Sequence, residues 1–368
     1  MLQMAEGGAT VNFHNIKMLE LPRLELDRHF CDVRLLAENS GAKVYGASQL
    51  QSGASVALKC IQKETTKKKD FCREFHHSYN LGLHPNIITC FEEVFETNTA
   101  YVFTQEFAPL GDLSKQVKKG GTEEERAKRV AEQVAFALEF MHKKDLVHRD
   151  VCSENIFVFD NDLSRVKLGD FGSTQRVGAF VKKQKVRSPW APPEVSLTVY
   201  NEGYLVDTAQ DAWQLGILIF VCLTGSYPWS SADITDRHYN SWVAWLKRKT
   251  TKMPPRFKCF TPRLLRLLRR LLEPKPEKRS GVREVYKYLS DPWLIESRSS
   301  AVEAASISSS ESLMAGSKRS LLMRAENKLI EIIRSYVLHY HSLADQKHTA
   351  HASSAVDFVA GARYVVPA

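Results

Sequence analysis

The chain has 368 residues, 43% of them hydrophobic and 25% charged, with 51 Lys and Arg against 42 Asp and Glu for a net charge of +9. That length fits two ordinary domains or one large domain with an extension, and the composition excludes a mostly disordered chain. The longest apolar run, Gly216 to Leu223, falls far short of the roughly 18–20 residues that cross a bilayer, so no membrane insertion is expected.

Residues 1–29 are mixed and polar with no clear period and form an N-terminal extension. They open without a basic region, and Leu2 stands where a myristoylated chain needs glycine. The seven cysteines are an odd number without a C-x-x-C pair, which points to reduced thiols rather than a disulfide framework or a zinc site. A soluble, cytoplasmic protein is the expectation. The short basic runs at 67–69, 118–119 and 247–249 are scattered, and they read as solvated faces rather than as a nucleic-acid site.

From Phe30 to about Leu113 the pattern is short strands with one helix. Val56-Ala57-Leu58-Lys59 follows a Ser52-Gly53 turn, a helix is expected from Phe71 to Asn80, and Ala100 to Phe107 is another strand. Thr122 and Glu125 then make a T-x-x-E capping box ahead of Val130, Val134, Leu138 and Met141 at helical spacing. A hairpin is expected from Ile156 to Leu168 around Asp160-Asn161-Asp162. Ala209 to Leu223 is apolar nearly all round and reads as a buried helix. Pro262 opens a helix with Leu264, Leu265, Leu268, Leu271 and Leu272 on one side and Arg263, Arg266 and Arg270 on the other. The outline is a smaller strand-rich lobe followed by a larger helical one. Residues 296–320 form a Ser-rich linker. In 321–368, Leu322, Ala325, Leu329, Ile332, Tyr336 and Leu343 mark an amphipathic helix, which either packs back on the main domain or binds a partner.

The segment that carries chemistry is His148-Arg149-Asp150-Val151-Cys152-Ser153-Glu154-Asn155, with Asp170-Phe171-Gly172 beginning fifteen residues after Asn155. The first matches H-R-D-x-x-x-x-N and the second D-F-G, so the chain resembles the eukaryotic protein-kinase family over about residues 30–295. The resemblance implies an α+β, two-lobed protein-kinase fold with ATP between the lobes. Asp150 would accept the proton of the substrate hydroxyl, and Asn155 and Asp170 would hold Mg²⁺. Lys59, ending V-A-L-K, would hold the α/β-phosphates, with Glu74 pairing to it. Gln105-Glu106-Phe107-Ala108 resembles the hinge, in which Glu106 and Ala108 take the adenine, Gln105 is the gatekeeper, and Asp112 serves the ribose. Pro192-Pro193-Glu194 stands at the A-P-E position, with Arg279 as the expected partner of Glu194. Asp211 and Trp213 to Gly216 are similar to the structural central helix. The chain is most similar to the SH3-domain-binding serine/threonine kinases, in Tyr101-Val102-Phe103, Ala108-Pro109, Gly111-Asp112-Leu113, Phe140-Met141-His142, Val166-Lys167-Leu168 and Leu223-Thr224-Gly225. No SH3 partner is expected, because the one P-x-x-P, Pro189 to Pro192, falls in the activation segment.

Four departures from the pattern stand out. The nucleotide loop Leu36-Ala37-Glu38-Asn39-Ser40-Gly41-Ala42-Lys43-Val44 carries Ala37, Asn39 and Ala42 where the family has glycines that let backbone amides close on phosphates. ATP affinity should fall without vanishing. Cys152 replaces the lysine beside the catalytic aspartate, Arg187 replaces a threonine, and Pro192 replaces the alanine of A-P-E. Either Arg187 supplies the missing cation, or it is one more basic residue in a loop with Arg176, Lys182, Lys183 and Lys185. That loop would favour acidic substrates or a phosphate on Ser173, Thr174 or Ser188. Two functions remain: an ATP- and Mg²⁺-dependent serine/threonine kinase of reduced rate acting on a protein substrate, or a pseudokinase scaffold. Retention of Lys59, Glu74, Asp150, Asn155 and Asp170 favours the first; Cys152 and the missing glycines favour the second.

Overall fold

The β-branched and apolar run around Val56 forms a strand whose side chains are buried on both faces from Val56 to Ile61, which places it at the centre of a sheet. The computed structural model describes residues 13–39, 41–183, 188–199 and 201–295. Its N-terminal part contains β1 (Phe30–Glu38), β2 (Ala42–Gln49), β3 (Ser55–Gln62), α1 (Lys68–Leu81), β4 (Cys90–Glu96) and β5 (Ala100–Glu106). The five strands form an antiparallel sheet in the order β1-β2-β3-β5-β4. Lys59 pairs in register with Val44 on one side and Phe103 on the other, so strand pairing fixes its backbone from both sides. Helix α1 lays Phe71 and Phe75 on Phe103, at ring-centroid distances of 6.1 and 5.8 Å. This packing sets the rotation of α1 that turns Glu74 towards β3.

The larger part comprises α2 (Glu124–His142), β6 (Leu146–Val147), β7 (Ile156–Val158), β8 (Val166–Leu168), β9 (Gln175–Arg176), β10 (Phe180–Lys182), α3 (Pro193–Ser196), β11 (Gly203–Leu205), α4 (Ala209–Thr224), α5 (Arg237–Leu246) and α6 (Pro262–Leu271). Every residue of α4 from Ala209 to Leu223 is buried, as its sequence predicts. Gly216 permits this, since a Cβ there would come within 3.0 Å of Leu271 Cβ and 2.9 Å of Leu272 Cδ2, against which α4 packs. The hairpin of β7 and β8 forms with the expected turn. No described helix is long and apolar enough to cross a membrane. The seven cysteines are free thiols.

One expectation needs correction. The capping box at Thr122 does not form: α2 begins at Glu124, and the Thr122 hydroxyl turns to the Glu123 carbonyl. The Glu124 carboxylate instead accepts the backbone N–H groups of Trp293 at 2.8 Å and Leu294 at 2.7 Å, which ties the start of α2 to a segment nearly 170 residues away. The stretch before β1, unreadable as a regular element, is also ordered against the fold from residue 13 onward. Ile16, Leu19 and Leu21 pack on the α1 core, and Leu24 and Leu26 pack on the sheet core. Leu24 N–H donates to Glu96 O, and Glu96 N–H donates to Pro22 O. Phe13 reaches the larger lobe, where the Lys144 ammonium lies 4.4 Å from its ring and 4.5 Å from that of Phe140. The linker and amphipathic helix expected over 296–368 lie outside the described residues, as do Ser40, Lys185 and Arg187.

Candidate functional site

Strand β3, helix α1 and the segment after β8 each deliver one charged group to a single point. Lys59 Nζ lies 2.6 Å from Glu74 Oε1 and 2.8 Å from Asp170 Oδ1. Burial alone would lower the Lys59 ammonium, but Asp170 and Glu74 raise it above an ordinary lysine. Burial likewise pushes Asp170 up, and the Lys59 charge with the Gly172 amide outweighs it and holds the carboxyl below the usual range. Glu74 is pushed up by burial against the pull of Lys59. Gly172 makes the triple approach possible, because a Cβ there would stand 2.9 Å from Glu74 Oε2. These three residues line a cavity of about 220 Å³ together with Asn39, Gly41 and Ala42 of the β1–β2 turn.

The second half of the site is the loop between β6 and β7. Arg149 and Asp170 take left-handed backbone conformations, with φ of 71° and 61°, which for non-glycine residues are strained and need outside support. Helix α4 supplies it at Arg149. The Asp211 carboxylate accepts the backbone N–H of His148 at 2.9 Å and of Arg149 at 2.7 Å, while Gln214 accepts from Val151 N–H and donates to the Arg149 carbonyl. The expectation for Asp211 as structural therefore holds, and Gln214, expected with Trp213 to Gly216 in the same structural helix, does half of the same work. His148 spans to the Gly169 carbonyl at 3.0 Å, linking the loop to the residue before Asp170.

Asp150 rests on this support with a donor on each carboxylate oxygen: Asn155 Nδ2 at 3.0 Å from Oδ2, and Trp190 Nε1 at 2.9 Å from Oδ1. Burial pushes its carboxyl above the usual aspartate range, against the opposing pull of His148, Trp190 and Asn155. Asn155 also donates to the Asp150 backbone carbonyl at 2.8 Å, so its amide nitrogen is committed and its carbonyl oxygen is the group left to offer. The site thus brings together Lys59, Glu74 and Asp170 around one charge, and Asp150 with Asn155 beside it. Nothing in the sequence points to this role of Trp190, because its hydrogen bond spans 40 residues.

The hinge and ribose positions occupy the end of β5 and the turn after it. Glu106 donates its backbone N–H to the Thr89 carbonyl, and its carboxylate turns to Lys167 and the Thr89 N–H. The Lys167–Glu106 pair was not foreseen, although it fixes the hinge to β8. Ala108 closes the following turn by accepting from Gly111 N–H. Asp112 is held below the usual range, with burial opposed by Ser114 and Lys115. Gln105 is buried.

The nucleotide loop shows why its glycines are dispensable to the fold. Leu36, Ala37 and Glu38 end β1, and Lys43 and Val44 lie in β2, with Glu38 and Lys43 paired at 2.9 Å across the hairpin. Between them Asn39 Oδ1 accepts the backbone N–H of Gly41 at 3.0 Å and of Ala42 at 2.7 Å. Two amides of the loop are therefore spent on a side chain. Asn39→Gly frees them, and the ATP KM is expected to fall by roughly three- to tenfold, the worth of one or two neutral hydrogen bonds. An unchanged KM in a nucleotide titration would show that these amides do not face the phosphates.

Outside the cleft, Glu194 and Arg279 meet as expected, in a fork with distances of 2.8 and 2.9 Å. The Cys152 side chain is buried, and burial followed by the nearby Asp150 and Glu154 pushes its thiol up, so it stays neutral. Of the basic loop, Lys183 is tied to the carbonyls of Ser196 and Thr198, each at 2.6 Å, while Arg176 and Lys182 are exposed. Thr174 is fully buried and unsuited to modification.

The protein kinase domain model matches residues 32–294. Serine/threonine-protein kinase SBK1 of Danio rerio is 40% identical over 280 residues, covering 76% of this chain and 73% of its own. Serine/threonine-protein kinase meng-po of Drosophila melanogaster is 40% identical over 298 residues, 80% of this chain, which spans just under two thirds (65%) of that relative. Human serine/threonine-protein kinase SBK2 is 33% identical over 277 residues, 74% of this chain and 80% of its own.

Proposed function

The chain belongs to the protein-kinase family as a serine/threonine kinase of the SH3-domain-binding group, and on that premise we propose that it works through Lys59, Glu74, Asp150, Asn155 and Asp170, with Mg²⁺–ATP in the cleft and a protein hydroxyl as acceptor. The observation that carries this is Lys59 seated between Glu74 and Asp170. A kinase cleft needs one cation on the nucleotide phosphates, and a carboxylate on a helix holds that cation in place. Lys59 anchors the α- and β-phosphates while Glu74 keeps its ammonium aimed. Asp150 orients the acceptor hydroxyl and takes its proton.

The donor set fits Mg²⁺. Asp170 offers a carboxylate and Asn155 a carbonyl oxygen, both hard ligands. The rest of its coordination sphere would come from the phosphates and water. When bound, the ion neutralises charge on the phosphates. The neutral Cys152 thiol adds no cation beside Asp150, and losing one such group costs on the order of 10²–10³ in rate, which supports a slow enzyme rather than an inert one. Seven free thiols support a reducing, cytoplasmic setting.

A thermal shift tests the nucleotide half of the proposal. Mg²⁺–ATP at well above its dissociation constant is expected to raise the wild-type melting midpoint by several degrees. In Lys59→Met that shift should disappear. Equal stabilisation of both proteins would sink the assignment of Lys59.

A further inference from the structure

The mechanism above leaves an unfilled position: the loop carrying Asp150 has a neutral, buried thiol at Cys152 where the family has a lysine. The structure fills part of that role from another segment. Trp190 Nε1–H donates to Asp150 Oδ1 at 2.9 Å, and Asn155 Nδ2 holds Oδ2 at 3.0 Å. Each carboxylate oxygen thus has one donor and keeps further lone-pair capacity for an incoming hydroxyl.

Trp190 is itself well fixed. Its ring packs on Tyr227, with centroids 5.7 Å apart and planes at 31°, and it leans on the core of the helical lobe. The next residue, Ala191, donates its N–H to the Ser188 carbonyl, closing a turn around the indole. Three residues beyond Ala191, Glu194 is clamped by Arg279. An aromatic donor anchored on both flanks loses little rotamer freedom on making its hydrogen bond, unlike a long, flexible lysine.

We infer that Trp190 is a positioning residue for phosphate transfer, its indole N–H fixing the rotamer of the Asp150 carboxylate so that the acceptor hydroxyl meets a preset oxygen. The inference rests on Asp150 acting as the proton acceptor. Trp190 supplies orientation but no positive charge, so it restores geometry without restoring the electrostatic part of the missing lysine.

The test is steady-state phosphate transfer to a generic protein acceptor by Trp190→Phe, and by the full chain carrying the benzothiophene isostere of tryptophan at 190, which replaces N–H by sulfur in the same shape. Both should lose kcat by roughly 10- to 100-fold, the factor carried by one hydrogen bond to a charged group. The ATP KM and the Mg²⁺–ATP thermal shift should stay at wild-type values. Trp190→His, which keeps an N–H donor, should recover part of the loss. Wild-type kcat in the isostere overturns the inference, whether or not Trp190→Phe is slow, because only the ring would then matter. A faster Trp190→Phe overturns it as well, making the indole an obstruction. Asp150→Asn in the same assay separates the two levels: normal turnover there removes the role of Asp150 itself, whereas a dead Asp150→Asn beside a normal isostere removes only Trp190.

Discussion

Asp150→Asn is expected to cut phosphate transfer by about 10²–10⁴, the usual contribution of a positioned general base, while the protein still binds Mg²⁺–ATP. The substitution keeps the shape of the side chain and removes its ability to take a proton. It also disturbs the local hydrogen bonds. Both neighbours of the carboxylate are donors, Asn155 Nδ2 and Trp190 Nε1. An amide presents one acceptor and one donor, so one of the two must lose its partner. Incorporation of labelled phosphate into a protein acceptor, compared at equal enzyme concentration, reads the effect directly. Transfer within twofold of wild type would mean that the chemistry runs elsewhere.

The second large effect is on stability. Arg279→Leu is expected to destabilise the domain by about 3–5 kcal/mol, as removal of one member of a buried ion pair does. The Arg279 side chain is fully buried, its fork engages Glu194, and it also donates to the carbonyls of Ala209 at 2.8 Å and Glu273 at 2.9 Å. Its guanidinium carbon lies 5.0 Å from the Trp213 ring centroid. Leucine leaves the Glu194 carboxylate without its fork and takes a donor from the carbonyls of Ala209, Glu273 and Pro274, each loss an added cost. The melting midpoint should drop on the order of 10 °C. A shift below about 2 °C would mean that water replaces the guanidinium at no cost, and that the burial described above is not maintained in solution.

The parts of the site that were legible in sequence are those in which function forces linear spacing. His148 to Asn155 is one loop, Asp170 to Gly172 follows a short hairpin, and Lys59 announces itself at the end of an apolar strand. Glu74 was reachable because a single helix follows β3. What could not be read depends on closure of the chain over long separations. Trp190 reaches Asp150 and Glu106 reaches Lys167 through the tertiary fold, and neither residue type advertises such a role. The Thr122 box failed for a related reason: the local capping signal lost to a tertiary one, since Glu124 gains two backbone donors from the far end of the domain. At Asn39 the substitution was visible, but its consequence, a side chain consuming loop amides, needed coordinates.

The ordered stretch ahead of β1 has a mechanical consequence. It reaches Lys144, just beyond helix α2, through Phe13, the core around α1 through Ile16 and Leu19, and the margin of β4 through Pro22 and Leu24. Two bodies that must part to admit a nucleotide and release a product are thereby bridged by a tether lying across the very helix that carries Glu74. Opening the jaws wide requires this tether to stretch or let go at one end. Its hold on the larger lobe is the ring of Phe13 beneath the Lys144 ammonium.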